Sequence, residues 1–311
     1  MALAPFPVDD ERTAISVAYR NPRYIGREIL PPFQVGLQAF RYMKLDKKDS
    51  FTIPDTLIGR KGEANEVEFS ATEESAVCED HALRDTVPLS DVENAPKNYD
   101  PINRATVGLT ELIELDREKR VANLIQDAAN YPTGNKTTLS STSQWSDTAN
   151  SDPVKAISDA IDGMIVRPNV LVLGRPVFSA LKVHPKIVKA VRKLTDEGVV
   201  TAAQLAELFE LEKVLVGDGF YNSANKGKTM TLSRIWGKNA ALLCVDSAMA
   251  GTDGVRTFGA TAEFGSRLVY RRTVDPGRCG LRGGTEIVVG ESTCELITAP
   301  DLGYLFSAAV A

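Results

Sequence analysis

DPINRATVGLTELIELDREKRVANLIQDAANY, residues Asp100 to Tyr131, is the longest uninterrupted helical pattern in a chain otherwise rich in strand signals. Asp100 has the chemistry of an N-cap, with Pro101 at the first helical position, and Pro132 followed by Gly134 forbids continuation past Tyr131. Val121, Leu124, Ile125 and Ala128 follow an i, i+3, i+4, i+7 pattern. Glu118, Lys119, Arg120, Asn123 and Asp127 are interleaved with them, so this half is expected to bury one stripe and leave the interleaved charges wet. Residues 106–115 have a poorer period, and Gly108 is the place where the rod would bend. Some 25 residues at 1.5 Å each give a beam of roughly 37 Å.

On the N-terminal side, residues 1–32 contain Pro5, Pro7, Pro22, Pro31 and Pro32 with little periodicity, which reads as an extended arm. From Arg12 to Arg27 there are four arginines and no acid. Pairing with another subunit or with solvent accounts for them, and contact with nucleic acid is the alternative. Between residues 33 and 92, Phe33, Val35, Leu37 and Ala39 alternate with polar or small neighbours. Val67, Phe69 and Ala71 do the same beyond the break at Gly59-Arg60-Lys61-Gly62, which predicts a long hairpin. Its tip, with Asp46, Lys47, Lys48, Asp49, Arg60, Lys61, Glu63 and Glu66, is too polar to cap a core, so the hairpin is expected to project.

On the C-terminal side, residues 134–151 are rich in Ser, Thr and Asn, with Trp145 as the anchor of a surface connection. Helices are expected at 153–164, 175–181, 184–194 and 202–209, and strands at 169–174, 214–216, 230–235 and 240–245. Together they make residues 152–256 an α/β unit. Residues 257–311 read as strands at 267–272, 286–289 and 294–297, broken by Asp275-Pro276-Gly277 and Gly283-Gly284. These strands need a helix to pack on, and the long one is available.

The composition fits an ordinary globular chain of 311 residues, 43% hydrophobic and 25% charged. With 36 Lys and Arg against 41 acids and a net charge of -5, the surface as a whole is not that of a basic nucleic-acid binder. No apolar run approaches the roughly 18 residues of a membrane span, and the four scattered cysteines fit a reducing cytoplasm.

Chemistry-bearing constellations do not assemble. His184 stands before Pro185 at a helix start, and His81 shares metal-like spacing with Cys78, but Cys244, Cys279 and Cys294 supply no second ligand pair. Ser179 to Lys182 fits S-x-x-K without its partner motifs, and the Gly134-Asn135-Lys136-Thr137 run lacks the earlier glycine of a phosphate loop. No catalytic, cofactor-binding or metal residues are therefore assigned.

The order of parts is an arm, a projecting hairpin, a long helix, an inserted α/β unit and returning strands. It resembles the major capsid proteins of tailed bacteriophages, the Hong Kong 97 fold. Particular stretches carry the same flavour: Tyr19-Arg20-Asn21-Pro22, Ile29-Leu30-Pro31-Pro32, Asp152-Pro153-Val154-Lys155-Ala156-Ile157 and Arg167-Pro168-Asn169-Val170-Leu171-Val172-Leu173-Gly174. Val177 to Leu181 and His184 to Ile187 complete them. The resemblance implies an α+β fold with an N-terminal arm (1–32), an E-loop hairpin (33–92), a P domain with the spine helix (93–151), an A domain (152–256) and returning P-domain strands (257–311).

It further implies a non-enzymatic coat protein, without cofactor, that assembles in the host bacterial cytoplasm into pentamers and hexamers of an icosahedral virion shell. The expected partners are further copies of itself, a separate scaffolding protein, a portal, a decoration protein and packaged double-stranded DNA bound without sequence preference, with no membrane. Contacts between subunits are expected from Phe33, Leu37, Phe40, Phe51, Phe69, Arg20, Arg23, Arg27 and Lys61. Covalent cross-linking through Lys47, Lys48 or Lys61 is not expected, because no partner asparagine is identifiable. An encapsulin-type nanocompartment shell of the same fold is one alternative. A soluble α/β enzyme with Asp218 or Asp246 at strand ends is another.

Overall fold

The computed structural model describes residues 8–19, 21–45, 53–58, 62–66, 71–192, 197–225, 227–246 and 257–311. Its helices are α1 (Asp10–Ala18), α2 (Gly26–Ile29), α3 (Leu89–Glu93), α4 (Pro101–Gln126), α5 (Pro153–Gly163), α6 (Arg175–Leu181), α7 (Pro185–Arg192) and α8 (Ala202–Leu208). In the first half of the chain the strands are β1 (Pro32–Val35), β2 (Ala39–Leu45), β3 (Ala71–Val77), β4 (Glu79–Pro88) and β5 (Lys136–Thr138). β6 (Val170–Gly174), β7 (Lys213–Gly217), β8 (Phe220–Asn222), β9 (Leu232–Arg234) and β10 (Ala240–Leu243) follow. The last four are β11 (Gly259–Phe264), β12 (Leu268–Val274), β13 (Gly284–Ile297) and β14 (Gly303–Ser307).

The long helix α4 spans 26 residues without interruption at Gly108, roughly 39 Å at 1.5 Å per residue. Asp100 caps it, its carboxylate accepting the N–H groups of Ile102 and Asn103. The helix stops five residues before Tyr131, because Asp127 turns extended and caps a short 3-10 turn at Ala128–Asn130. Asn130 and Tyr131 then fold back, and their side chains donate to the terminal carbonyls of Leu124 and Ile125, each at 2.8 Å.

The helix bridges two sheets. Its N-terminal half packs Ile102, Leu109 and Ile113 onto Val87, Val269, Ile287 and Val289 of the first sheet. In that sheet the order is β1-β11-β13-β12, with β4 paired antiparallel along β13. The C-terminal half packs Val121, Ala122 and Ile125 onto Val170, Val172, Ala241, Leu243 and Leu305 of the second sheet, ordered β5-β14-β10-β6-β7. Period-two alternation puts Leu171, Leu173 and Leu242 on the opposite face, under α5 to α8, where Ile157, Val177, Leu181, Ile187 and Leu205 meet them. A strand buried on both faces reads as a continuous apolar run, which is what Val170 to Leu173 is. Gly174 ends it where a Cβ would stand 1.9 Å from the Gly237 carbonyl oxygen.

Several elements differ from the expectation drawn from sequence. Residues 8–19 and 21–30 are packed, not extended. Asp9 caps α1, the Asp9 N–H donates to the Val269 carbonyl, and Ile25, Ile29 and Leu30 are buried. Pro22, Pro31 and Pro32 lie outside the two helices, so they limit the helices without preventing them. Residues 32–35 are not part of the hairpin. They form β1, parallel to β11 with Phe33 opposite Ala262, and the hairpin is β2 against β3 from Ala39 opposite Val77. The expected strands at 286–289 and 294–297 are one strand of 14 residues, because β12 and then β11 pair along its length. Residues 303–307 form a further strand, β14, beyond the strands expected from sequence. Trp145 is the anchor expected of its connection: it is 1% exposed and lies 5.2 Å from Phe306 between ring centroids.

Candidate assembly surfaces and the buried charge cluster

Between the two apolar halves of α4, the same buried stripe continues through Glu114, Arg117 and Glu118. Glu118 was expected to be wet, but it is 2% exposed. Its carboxylate accepts the backbone N–H groups of Ile25 at 3.0 Å and Gly26 at 2.7 Å, and the indole N–H of Trp236 at 2.5 Å. Three donors replace the water it gave up. Position 26 must be glycine for this approach, since a Cβ there would stand 2.7 Å from Glu118 Oε2.

At the preceding residue, Arg117 donates from Nε to Glu291 Oε1 at 3.1 Å and from Nη1 to Glu263 Oε1 at 3.1 Å. Arg267 donates to the other oxygen of Glu291 at 2.8 Å, to Glu114 at 2.5 Å and to the Ser16 carbonyl at 3.2 Å. Arg27 closes the ring on Glu114 at 3.3 Å and Glu263 at 3.5 Å. Three guanidiniums face three carboxylates, so the cluster is neutral as a whole. It ties the N-terminal segment, the helix and the returning strands to one another. Buried ion pairs contribute little net stability over apolar packing, but breaking one is costly, so the cluster fixes which surfaces meet.

The two glutamates of the helix respond oppositely to this environment. Burial pushes the Glu114 carboxyl up, and Arg267, Arg27 and Arg117 together outweigh it, leaving its pKa below the ordinary 4.5. Burial dominates at Glu118 and raises its pKa despite the bonds from Trp236, Ile25 and Gly26. Stability from a lowered acid is present above the ordinary value and lost as pH falls through the folded one; a raised acid does not lose stability this way. The urea midpoint is therefore expected to fall as pH drops below about 4.5, with Glu114→Gln flattening that fall. Equal steepness in the two proteins would contradict the assignment.

Of the residues expected at subunit contacts, Leu37 is 70% exposed at the root of the hairpin. Phe33 and Phe40 are half-buried and meet edge to face at 6.3 Å. Arg23 is exposed, whereas the Arg27 guanidinium is engaged by Glu114 and Glu263 of its own chain. Arg20, Phe51, Lys61 and Phe69 lie outside the described residues. Within the described part of the segment joining β2 to β3, Ile53, Leu57 and Ile58 are 94%, 84% and 50% exposed. Val77 at the base of β3 is 56% exposed.

Sequence reasoning missed Glu114, Arg117, Arg267 and Glu291. The signal was positional: 102, 106, 109, 110, 113, 114, 117, 118, 121, 122 and 125 form one buried stripe, and its middle is filled with charge. His184 is buried, bonded through Nε2 to the Ser151 hydroxyl at 3.1 Å, and burial followed by Lys186 lowers its pKa. The buried Cys78 thiol donates to the Ala262 carbonyl, away from any metal-like arrangement. Among the described residues no group of three or more His, Cys, Asp or Glu could hold a metal ion.

A beam joining two sheets, an N-terminal segment clasped to it and a self-paired exposed hairpin are the parts of the Hong Kong 97 fold. Solved structures share the arrangement. A phage-related protein from Bordetella bronchiseptica RB50 superposes with a TM-score of 0.76, at 22% identity, over 98% of this chain and 99% of that one. The capsid of cyanophage P-SCSP1u does so with 0.57, at 12% identity, over 100% and 93%. The phage major capsid protein E family matches residues 126–270. The major capsid protein of Pseudomonas phage JBD67 is 50% identical over 312 residues, covering 100% of both chains. The chain belongs to the phage major capsid protein family. The fold alone does not separate a coat protein from an encapsulin, but this sequence relationship favours the coat.

Proposed function

We propose that the chain assembles through pentamers and hexamers into a closed icosahedral shell around double-stranded DNA, in the host cytoplasm. The hairpin within residues 33–92 clasps neighbouring copies, and residues 152–256 meet at the centre of each capsomer. Residues 93–151 and 257–311 form the body between them. A separate scaffolding protein, a portal and a decoration protein complete the set of partners.

The observation that carries this reading is the hairpin. Among the described residues β2 and β3 pair only with each other, and Leu37, Ile53, Leu57 and Val77 are exposed along it. A two-stranded ribbon with uncovered apolar side chains is marginal alone and gains its order by burying them against another surface. Leu37 and Phe40, with Phe51, Lys61 and Phe69 of the same stretch of sequence, are the contact residues proposed.

Removal of Asp46 to Glu66 is expected to leave a soluble subunit that melts within a few degrees of the native one but closes no shells. Normal particles from that deletion would overturn the role of the hairpin.

A further inference from the structure

Two acid-free segments, remote in sequence, meet beside the spine helix. Residues 12–27 carry four arginines and no acid, and residues 219–245 carry Lys226, Lys228, Arg234 and Lys238 and no acid. This occurs in a chain whose acids outnumber its Lys and Arg by 41 to 36. The buried Glu118 carboxylate holds the two together, through Ile25 and Gly26 of the first and Trp236 of the second. They also lie close to one another: a Cβ on Gly219 would stand 3.6 Å from the Tyr24 ring. Lys119, the next residue on α4, places its ammonium 4.2 Å from the Tyr221 ring centroid.

The β8–β9 hairpin runs beside this junction, with Tyr221 of β8 against Lys119. Arg23, Lys228 and Lys238 are exposed, and the two lysines pair with no carboxylate of the described residues. Nearby acids are largely taken. Asp218 is shared by Arg175 at 3.1 Å and Arg234 at 3.6 Å, and Glu28 is paired with Lys213 at 3.1 Å. Glu111, whose charge reaches Tyr24, offsets one cation. Asn222, Thr231 and Ser233 add amide and hydroxyl groups along the same ribbon.

We propose that Arg23, Lys119, Lys228 and Lys238 form a face that rests on the phosphate backbone of double-stranded DNA without reading its sequence. The inference builds on the coat reading and names the surface that meets the packaged genome. A cluster of cations unbalanced by local acids gains by releasing counterions from a polyanion. Flexible lysines suit phosphates, which position a duplex but carry no sequence information. Weak, salt-dependent contacts of this kind leave the duplex free to slide.

The test is binding of the purified protein to a random-sequence duplex of about 30 base pairs, with salt varied between about 50 and 200 mM. Lys228→Gln with Lys238→Gln is expected to flatten the slope of log affinity against log salt by about 2, at unchanged melting temperature. Lys97→Gln with Lys189→Gln, also exposed but elsewhere, is expected to leave the slope as it is. An unchanged slope in the first pair, or equal flattening in both, would overturn the proposal. Particle formation is followed in parallel by electron microscopy. Shells with an unaltered slope in the first pair sink this proposal alone, and native protein that forms no shells sinks the coat reading beneath it.

Discussion

Glu291→Ala is expected to lower the unfolding free energy of the subunit by about 3–5 kcal/mol, read as a fall in the urea midpoint at pH 7. The carboxylate is the hub of the buried cluster, with Arg117 on one oxygen and Arg267 on the other. Its loss leaves two guanidiniums of 3% and 4% side-chain exposure with one carboxylate fewer between them. Since the interaction joins segments 174 residues apart for Arg117 and 24 for Arg267, the effect is on tertiary assembly more than on helix content. A loss below about 1 kcal/mol, the range of an exposed pair, would show that the cluster is hydrated.

The second large effect is expected at Glu118. Glu118→Ala strands the N–H groups of Ile25 and Gly26 and the Trp236 indole in a buried site, at about 1–3 kcal/mol for each donor that finds no water. The loss should exceed about 3 kcal/mol, accompanied by faster proteolytic cutting at Arg23 and a change in tryptophan fluorescence. Glu118→Gln keeps one acceptor oxygen and, because burial already favours the neutral carboxyl, should cost less than half as much. Equal, small losses in both variants would contradict the clasp.

Long periodic segments were legible in the sequence, and long-range pairings were not. The spine helix, its Asp100 cap and the helices of residues 152–209 announce themselves through local spacing and capping chemistry. The order of parts carried the fold class, which the shared architecture and the 50% identical relative show. What failed was whatever depended on a distant partner. The N-terminal segment reads as extended because nothing within it says that Asp9 will meet Val269 or that Ser16 will meet Thr110. The 14-residue β13 reads as two strands because its glycine at 290 interrupts the pattern, while three neighbouring strands hold it continuous.

The charge cluster was hidden for a related reason. Hydrophobic patterning treats Glu114, Arg117 and Glu118 as solvent-facing, although their positions continue the buried stripe of Ile113 and Val121. Their partners come from residues 16–27 and 236–291, so only the folded chain neutralises them. The surfaces for neighbours remain the least legible part. Leu37 and Val77 are as apolar as core residues, and only their exposure on a self-paired ribbon marks them for another copy.

Electron microscopy of the purified protein at high concentration tests the central claim most directly. Closed shells built of pentamers and hexamers, with the β2–β3 hairpin lying on a neighbouring subunit, are the expected result. A uniform population of monomers or dimers, with the hairpin in contact with no other copy, would contradict it.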